Sequence, residues 1–156
     1  MNQLKFTHNL IKGKIAEIIF EQMIHNVDGY TILEFGYEKV VRQLAHTPKT
    51  EQSKKTIEIV QRAPDFAIVN ETTHDITLVE VKYMRNTSPT YVLKAARTIR
   101  LSWKKASLFI VSPDGFYFGD INKIIENKGA IEPFHHKLIS QKKQQAYLNI
   151  VNEFIR

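Results

Sequence analysis

A chain of 156 residues is long enough for one domain with a real core and short for two. Its 43% hydrophobic residues include no apolar stretch near 18 residues, which argues against a membrane span, and the N-terminal MNQLKFTHNLIKGK lacks the apolar stretch and cleavage site of a signal peptide. The lack of cysteine excludes disulfides and thiolate metal sites and fits a cytoplasmic protein, while a formal charge of +6 and a pI near 9.5 favour an anionic partner, nucleic acid foremost.

A first helix is expected from His8 or Asn9, as the cap, to about His25. Ile11, Ile15, Ile18, Ile19 and Gln22 or Met23 make its apolar stripe. Lys14, Glu17 and Glu21 lie along the neighbouring stripe. Gly13 is out of place inside a helix, where it costs about 1 kcal/mol against alanine. Close approach of another backbone or of a phosphate would explain it. Val27-Asp28-Gly29 reads as a turn and Tyr30 to Phe35 as the first strand, closed by Gly36-Tyr37-Glu38. Lys39 to Leu44 reads as a short helix. Thr47 to Ala63 is open between an exposed basic loop, suggested by Pro48, Lys49, Lys54 and Lys55, and a helix; Thr56 to Val60 alternates like a strand but also continues such a helix.

The stretch Pro64 to Tyr83, PDFAIVNETTHDITLVEVKY, is the most informative. Phe66 to Val69 is an apolar run, Asn70 to Asp75 is polar, and Ile76 to Tyr83 is rich in β-branched residues: a β-hairpin. With Asn70 to Asp75 as the loop, Val69 faces Ile76, and counting back places Asp65 opposite Glu80. Opposed residues have Cβ atoms about 5 Å apart, where like charges repel. Lys82 shares the face of Glu80, while Val79, Val81 and Tyr83 take the other. A cation between the carboxylates would relieve the repulsion; a register slip of one residue would separate them.

Beyond the hairpin, Met84 to Thr87 leads out of the sheet. Ser88 caps a helix with Pro89 in its first position, running to about Lys105. Val92, Ala95, Ala96, Ile99 and Trp103 form its inner side. Lys94, Arg97, Arg100, Lys104 and Lys105 crowd the rest with no acidic residue among them, and Arg97, Arg100 and Lys104 share one side at i, i+3, i+7. A solvated face is the plain reading and phosphate contact the functional one. Ser107 to Val111 reads as a buried strand, Ser112-Pro113-Asp114-Gly115 as a β-turn and Phe116 to Phe118 as the next strand. Asp120 caps a short helix, Ile121 to Asn127, ended by Lys128-Gly129. Pro133, His135 and His136 lie in a connector, and adjacent histidines face different ways, which makes a poor metal site. Ser140 caps a last helix to Ile155, with Tyr147, Ile150, Val151 and Phe154 inward.

Pro64-Asp65, a spacer, and Glu80-Val81-Lys82 together resemble the signature of the PD-(D/E)XK nuclease superfamily. Gly13-Lys14-Ile15-Ala16-Glu17 resembles the N-terminal helix segment that brings a Glu into the active site of its Holliday-junction-resolvase members. Glu-x-Lys also occurs on exposed strands as an ion pair, so the tripeptide gains weight from the apolar flanks, the Pro-Asp and the upstream helix. The resemblance covers about residues 9 to 119. It implies an α/β fold with a restriction-endonuclease-like core, a central mixed β-sheet flanked by helices with the site at one edge. The chain is then one domain, 1–156, with a helical extension over about 120–156. The Gln-bearing motif that some exonuclease branches carry after the Lys is absent, since Tyr91 to Lys105 contains no Gln.

Phosphodiester hydrolysis needs an activated water and a way to neutralise charge growing on phosphate. Hard cations such as Mg²⁺ take oxygen ligands and keep several waters, so two or three carboxylates suffice. The resemblance implies Mg²⁺ or Mn²⁺ held by Asp65, Glu80 and the Val81 carbonyl. Glu17 would hold a second metal or orient Lys82, with Glu21 competing one turn later. Lys82 would orient or deprotonate the attacking water and stabilise the transition state. A lysine acts as a base only when its surroundings favour the neutral amine; carboxylates on its own face do the opposite, so the electrostatic role is preferred. Lys14, Arg97, Arg100 and Lys104 would hold the nucleic-acid backbone, DNA foremost. Resolvase-like members act as dimers, and Phe134, Tyr147, Ile150 and Phe154 are free either to form such an interface or to complete the monomer's core. The alternative function is a non-catalytic module binding nucleic acid or protein through the same surface.

Overall fold

The computed structural model describes residues 3–35 and 50–155. In chain order the elements are α1 (Gln3–His25), β1 (Tyr30–Glu34), α2 (Glu51–Gln61), β2 (Phe66–Asn70), β3 (Ile76–Tyr83), α3 (Pro89–Arg100), β4 (Ser107–Ser112), β5 (Gly115–Asp120), α4 (Ile121–Glu126), β6 (Glu132–Pro133) and α5 (Gln141–Phe154). The strands lie in sequence order in one six-stranded sheet. Only β3 and β4 pair in parallel, and α3 is the crossover this pairing requires. The chain is therefore α/β, with a mixed sheet and five helices among the described residues.

Alternation along the strands divides the interior in two. On one face, Ala16, Ile19, Phe20 and Met23 of α1 and Val151 of α5 pack on Phe66, Val79, Val81, Phe109 and Val111. On the other, Val92, Ala96 and Ile99 of α3 and Ile121 and Ile124 of α4 pack on Leu108 and Ile110. β4 is buried at every position, which is why it reads as a continuous apolar run. Each fully buried Phe, Leu or Ile contributes roughly 1.5–3 kcal/mol.

The hairpin adopts the register counted from the sequence: Val69 pairs with Ile76 and Phe66 with Val79. The Asn70 N–H donates to the Asp75 carbonyl at 2.9 Å, and the Asn70 side chain accepts from Thr72 and Thr73 N–H to close the loop. The undecided stretch is helical over Glu51–Gln61. Thr50 Oγ1 accepts from Ser53 N–H (3.1 Å) and Ser53 Oγ from Thr50 N–H (2.7 Å), so each end of the cap satisfies the other. Gly36-Tyr37-Glu38, the helix expected over Lys39 to Leu44, and Pro48 and Lys49 lie outside the described residues.

Four expectations are corrected. α1 begins at Gln3, and its buried stripe is Ala16, Ile19, Phe20 and Met23; Ile11 and Ile18 are 51% and 49% exposed. Phe20 fixes that rotation, its ring lying 4.6 Å from Phe109 and 5.4 Å from Phe66. α3 stops at Arg100, short of Lys105, where the Ile99 carbonyl accepts from both Ser102 and Trp103 N–H and turns the chain out. In α5, Val151 is buried with Tyr147 and Leu148 against the core, whereas Ile150 and Phe154 face outward. The segment after 119 is not a mere extension: β6 adds to the sheet, and Phe134, Ile139 and Val151 complete the core. Gly129 marks where it is tied down, since a Cβ there would overlap the Pro89 carbonyl at the start of α3, and its φ of +94° suits glycine.

Candidate active site

β2 stops while β3 continues. Their ladder ends at Phe66–Val79, and β3 runs on through Glu80, Val81, Lys82 and Tyr83 with no strand among the described residues beside it on that side. The opening therefore lies along the stretch of β3 that extends past its ladder with β2. Asp65, next in register, stands opposite Glu80, and its Oδ2 accepts from the Val81 N–H at 2.8 Å. That N–H would otherwise be an orphan ladder donor. In a strand the N–H and C=O of one residue point the same way, so the Val81 carbonyl also faces the gap. Glu80 and Lys82 share the next face, where Lys82 Nζ donates to Glu80 Oε1 at 2.8 Å with both side chains partly buried.

α1 crosses beside this gap. Lys14 Nζ holds Glu17 Oε2 at 2.8 Å, and both line the same cavity of about 620 Å³ as Asp65, Glu80 and Lys82. The sequence set Glu17, Asp65, Glu80 and Lys82, dispersed over sixty-odd positions, is thus brought around one opening. Glu21 lines it too, but Glu17 is the one whose charge acts on Asp65. Among the described residues, five carboxylates and three cations line the cavity, counting Glu34 and Arg62.

Asp65 feels the crowding most. Burial pushes its carboxyl up, Glu80 and then Glu17 add repulsion, and the Val81 N–H and Lys82 pull back; the result is a pKa pushed up to about 7. The donor chemistry suits a hard cation, because every donor is a carboxylate or carbonyl oxygen. No group of three or more Asp, Glu or His side chains among the described residues forms a ready-made metal cage. Asp65 and Glu80 could supply two carboxylate donors, a set that suits Mg²⁺ or Mn²⁺, ions that keep waters and take further oxygens from a bound phosphate. His136 packs between Tyr30 and Phe134 instead, and burial lowers its pKa.

The basic residues divide. Lys14 lines the cavity. Arg97 and Arg100 are exposed on α3 and do not line it, although Thr98 and Ile99 of the same helix do. Lys104 lies past the helix end, and the shared i, i+3, i+7 side expected of it fails; its carbonyl accepts from Asn122 Nδ2 at 3.0 Å. Arg62 and Glu34 were missed. Arg62 sits three residues before Asp65, and reading α2 as a helix that ends there would have placed it at the site. Glu34 enters because β1 pairs with β2, Glu34 opposite Phe66, a contact between distant segments with no local signal. Comparison with models of known families, with curated proteins and with solved structures found no match.

Proposed function

We propose that the chain is a metal-dependent nuclease with a restriction-endonuclease-like core, hydrolysing phosphodiester bonds in DNA. One observation carries the reading: Asp65 opposite Glu80 at the end of β2, with Lys82 on the face of Glu80 and Val81 N–H holding Asp65. The +6 net charge, on a chain whose described residues gather five carboxylates in one cavity, supports a polyanionic substrate bound around an acidic centre.

Asp65 and Glu80 would hold Mg²⁺ or Mn²⁺, with the Val81 carbonyl as a further donor. The bound ion supplies an acidified water and polarises a phosphoryl oxygen. Val81 N–H fixes one oxygen of Asp65, which leaves the other for ligation. Lys82, held by Glu80, places a positive charge beside the phosphate as negative charge grows there. Glu17 raises the negative potential at Asp65 and keeps Lys14 at the cavity wall, where the ammonium can meet the substrate backbone.

The test is a Mg²⁺-dependent cleavage assay on duplex, single-stranded and branched DNA and on RNA, run beside calorimetric Mg²⁺ titration. Asp65→Asn and Glu80→Gln should abolish cleavage and weaken Mg²⁺ binding with the fold intact. Lys82→Ala should lower kcat about 10²–10³-fold with little loss of DNA affinity. Unchanged Mg²⁺ affinity in both carboxylate variants would remove the site. A non-catalytic nucleic-acid- or protein-binding module is the second reading, favoured by the mutual pairing of Lys82 with Glu80 and of Lys14 with Glu17; DNA binding without Mg²⁺-dependent cleavage would select it.

A further inference from the structure

Lys82 borders a second opening. A cavity of about 540 Å³ follows the free edge of β3 past the first one and is lined by Asn9, Lys12 and Gly13 of α1 and by Lys82, Tyr83 and Arg85, with Val81 behind. Its chemistry is the inverse of the first. Three of these side chains are cationic, and none of the described lining residues is acidic. Lys12 is half-buried with its ammonium 5.4 Å from the centre of the Tyr83 ring, so its position is defined by packing. Arg85 is exposed just beyond and acts on the Tyr83 hydroxyl, as does Asp114 with the opposite sign.

Gly13 supplies an independent observation. It lies inside α1, where glycine weakens a helix relative to alanine, yet nothing among the described residues lies within 4 Å of the place its Cβ would occupy. Packing among the described residues therefore gives no reason for it. The bare backbone borders the second cavity, where a ligand can approach it closely. Lys12 and Lys14, on either side of Gly13, line the second and first cavities respectively.

We propose that this second cavity binds a backbone phosphate of the nucleic-acid strand, next to the phosphate held at Asp65, Glu80 and Lys82, with Lys12 and Arg85 as its cations and Gly13 leaving room for it. The inference rests on the nucleic-acid substrate proposed above. Lys82 spans the two subsites, so a strand passing from one to the other keeps a positive partner throughout. Contacts of this kind position the backbone and carry no base information.

The test uses the full chain and a short fluorescein-labelled DNA duplex, with binding measured at several KCl concentrations and without divalent cation. Lys12→Gln/Arg85→Gln should lower the log–log salt slope by about one unit, the contribution of the one phosphate the two cations hold. Gly13→Ala should raise Tm, because alanine favours the helix and meets open space, and should weaken duplex binding at the same time. Wild-type slope and affinity in the double variant, or a Gly13→Ala protein that is more stable and binds equally well, overturns the subsite. Cleavage in Mg²⁺ is scored separately. A wild-type protein that binds in a Lys12- and Arg85-dependent way but never cleaves overturns the nuclease reading and keeps this site. One that cleaves while the double variant binds as wild type does the reverse.

Discussion

Asp65 binds a proton more tightly in the folded chain than in the unfolded one, because its pKa rises from an ordinary 3.8 to about 7 on folding. The folded state holds the extra proton between those values, so the stability linked to it is fully present below about pH 4 and is lost as pH rises through about 7. Asp65→Asn removes the titration. The variant should match wild type near pH 4 and exceed it at pH 8 by roughly 2–4 kcal/mol, read as a growing Tm difference across a pH series. A constant Tm difference from pH 4 to 8 would place the strain elsewhere. Mg²⁺ should raise the Tm of wild type at pH 8 and leave Asp65→Asn nearly unmoved, since the variant has lost the ligand. The Asp65–Glu80 opposition was legible because a hairpin register is counted from one loop. The rise in Asp65's pKa was not, because burial is its largest cause, and burial depends on segments far away in sequence.

At the scale of elements, legibility followed how many faces of a helix are apolar. In α3 the apolar residues Val92, Ala96 and Ile99 lie on one side, and that side is buried. In α1, Leu4, Phe6, Leu10, Ile11, Ile15, Ile18, Ile19, Phe20 and Met23 surround the axis, so the stripe read from Ile11, Ile15, Ile18 and Ile19 is only partly the buried one, and the aromatic contacts of Phe20 set the rotation. α2 stayed undecided because its capping box ends in Ser53 where Glu or Gln is the usual signal. The shorter α3 also sharpens the expectation for its charges. Arg97 and Arg100 remain on a helix whose Thr98 and Ile99 reach the cavity, whereas Lys104 has left it. Arg97→Ala/Arg100→Ala should lower the salt slope of duplex binding by about two units with no change in sequence preference. Lys104→Ala should leave it unchanged. Isotherms at several salt concentrations separate these outcomes, and a wild-type slope in the double variant would make α3 a solvated face.

For the whole molecule, a mixed sheet was what the resemblance implied, but its width came from β6, two residues long, and its first pairing joins β1 to β2 across the intervening α2. Neither leaves a local trace in the sequence. The same limit governs self-association. Of the four residues considered for a dimer contact, Phe134 is buried among Phe109 and Phe118, and Tyr147 lies against the core with its hydroxyl donating to the Gln22 carbonyl at 3.3 Å. Ile150 and Phe154 remain outside, 42% and 68% exposed. A stable interface buries about 800 Å² on each partner, so these two must recruit neighbours if the resolvase-like dimer forms. The contact would be isologous, with each α5 meeting its own copy, and a single serine then disturbs it twice. For that dimer, light scattering should give about twice 18.1 kDa for wild type and 18.1 kDa for Phe154→Ser, with the circular dichroism spectrum unchanged because Phe154 takes no part in the core. A wild-type mass of 18.1 kDa across the working concentrations would exclude that dimer.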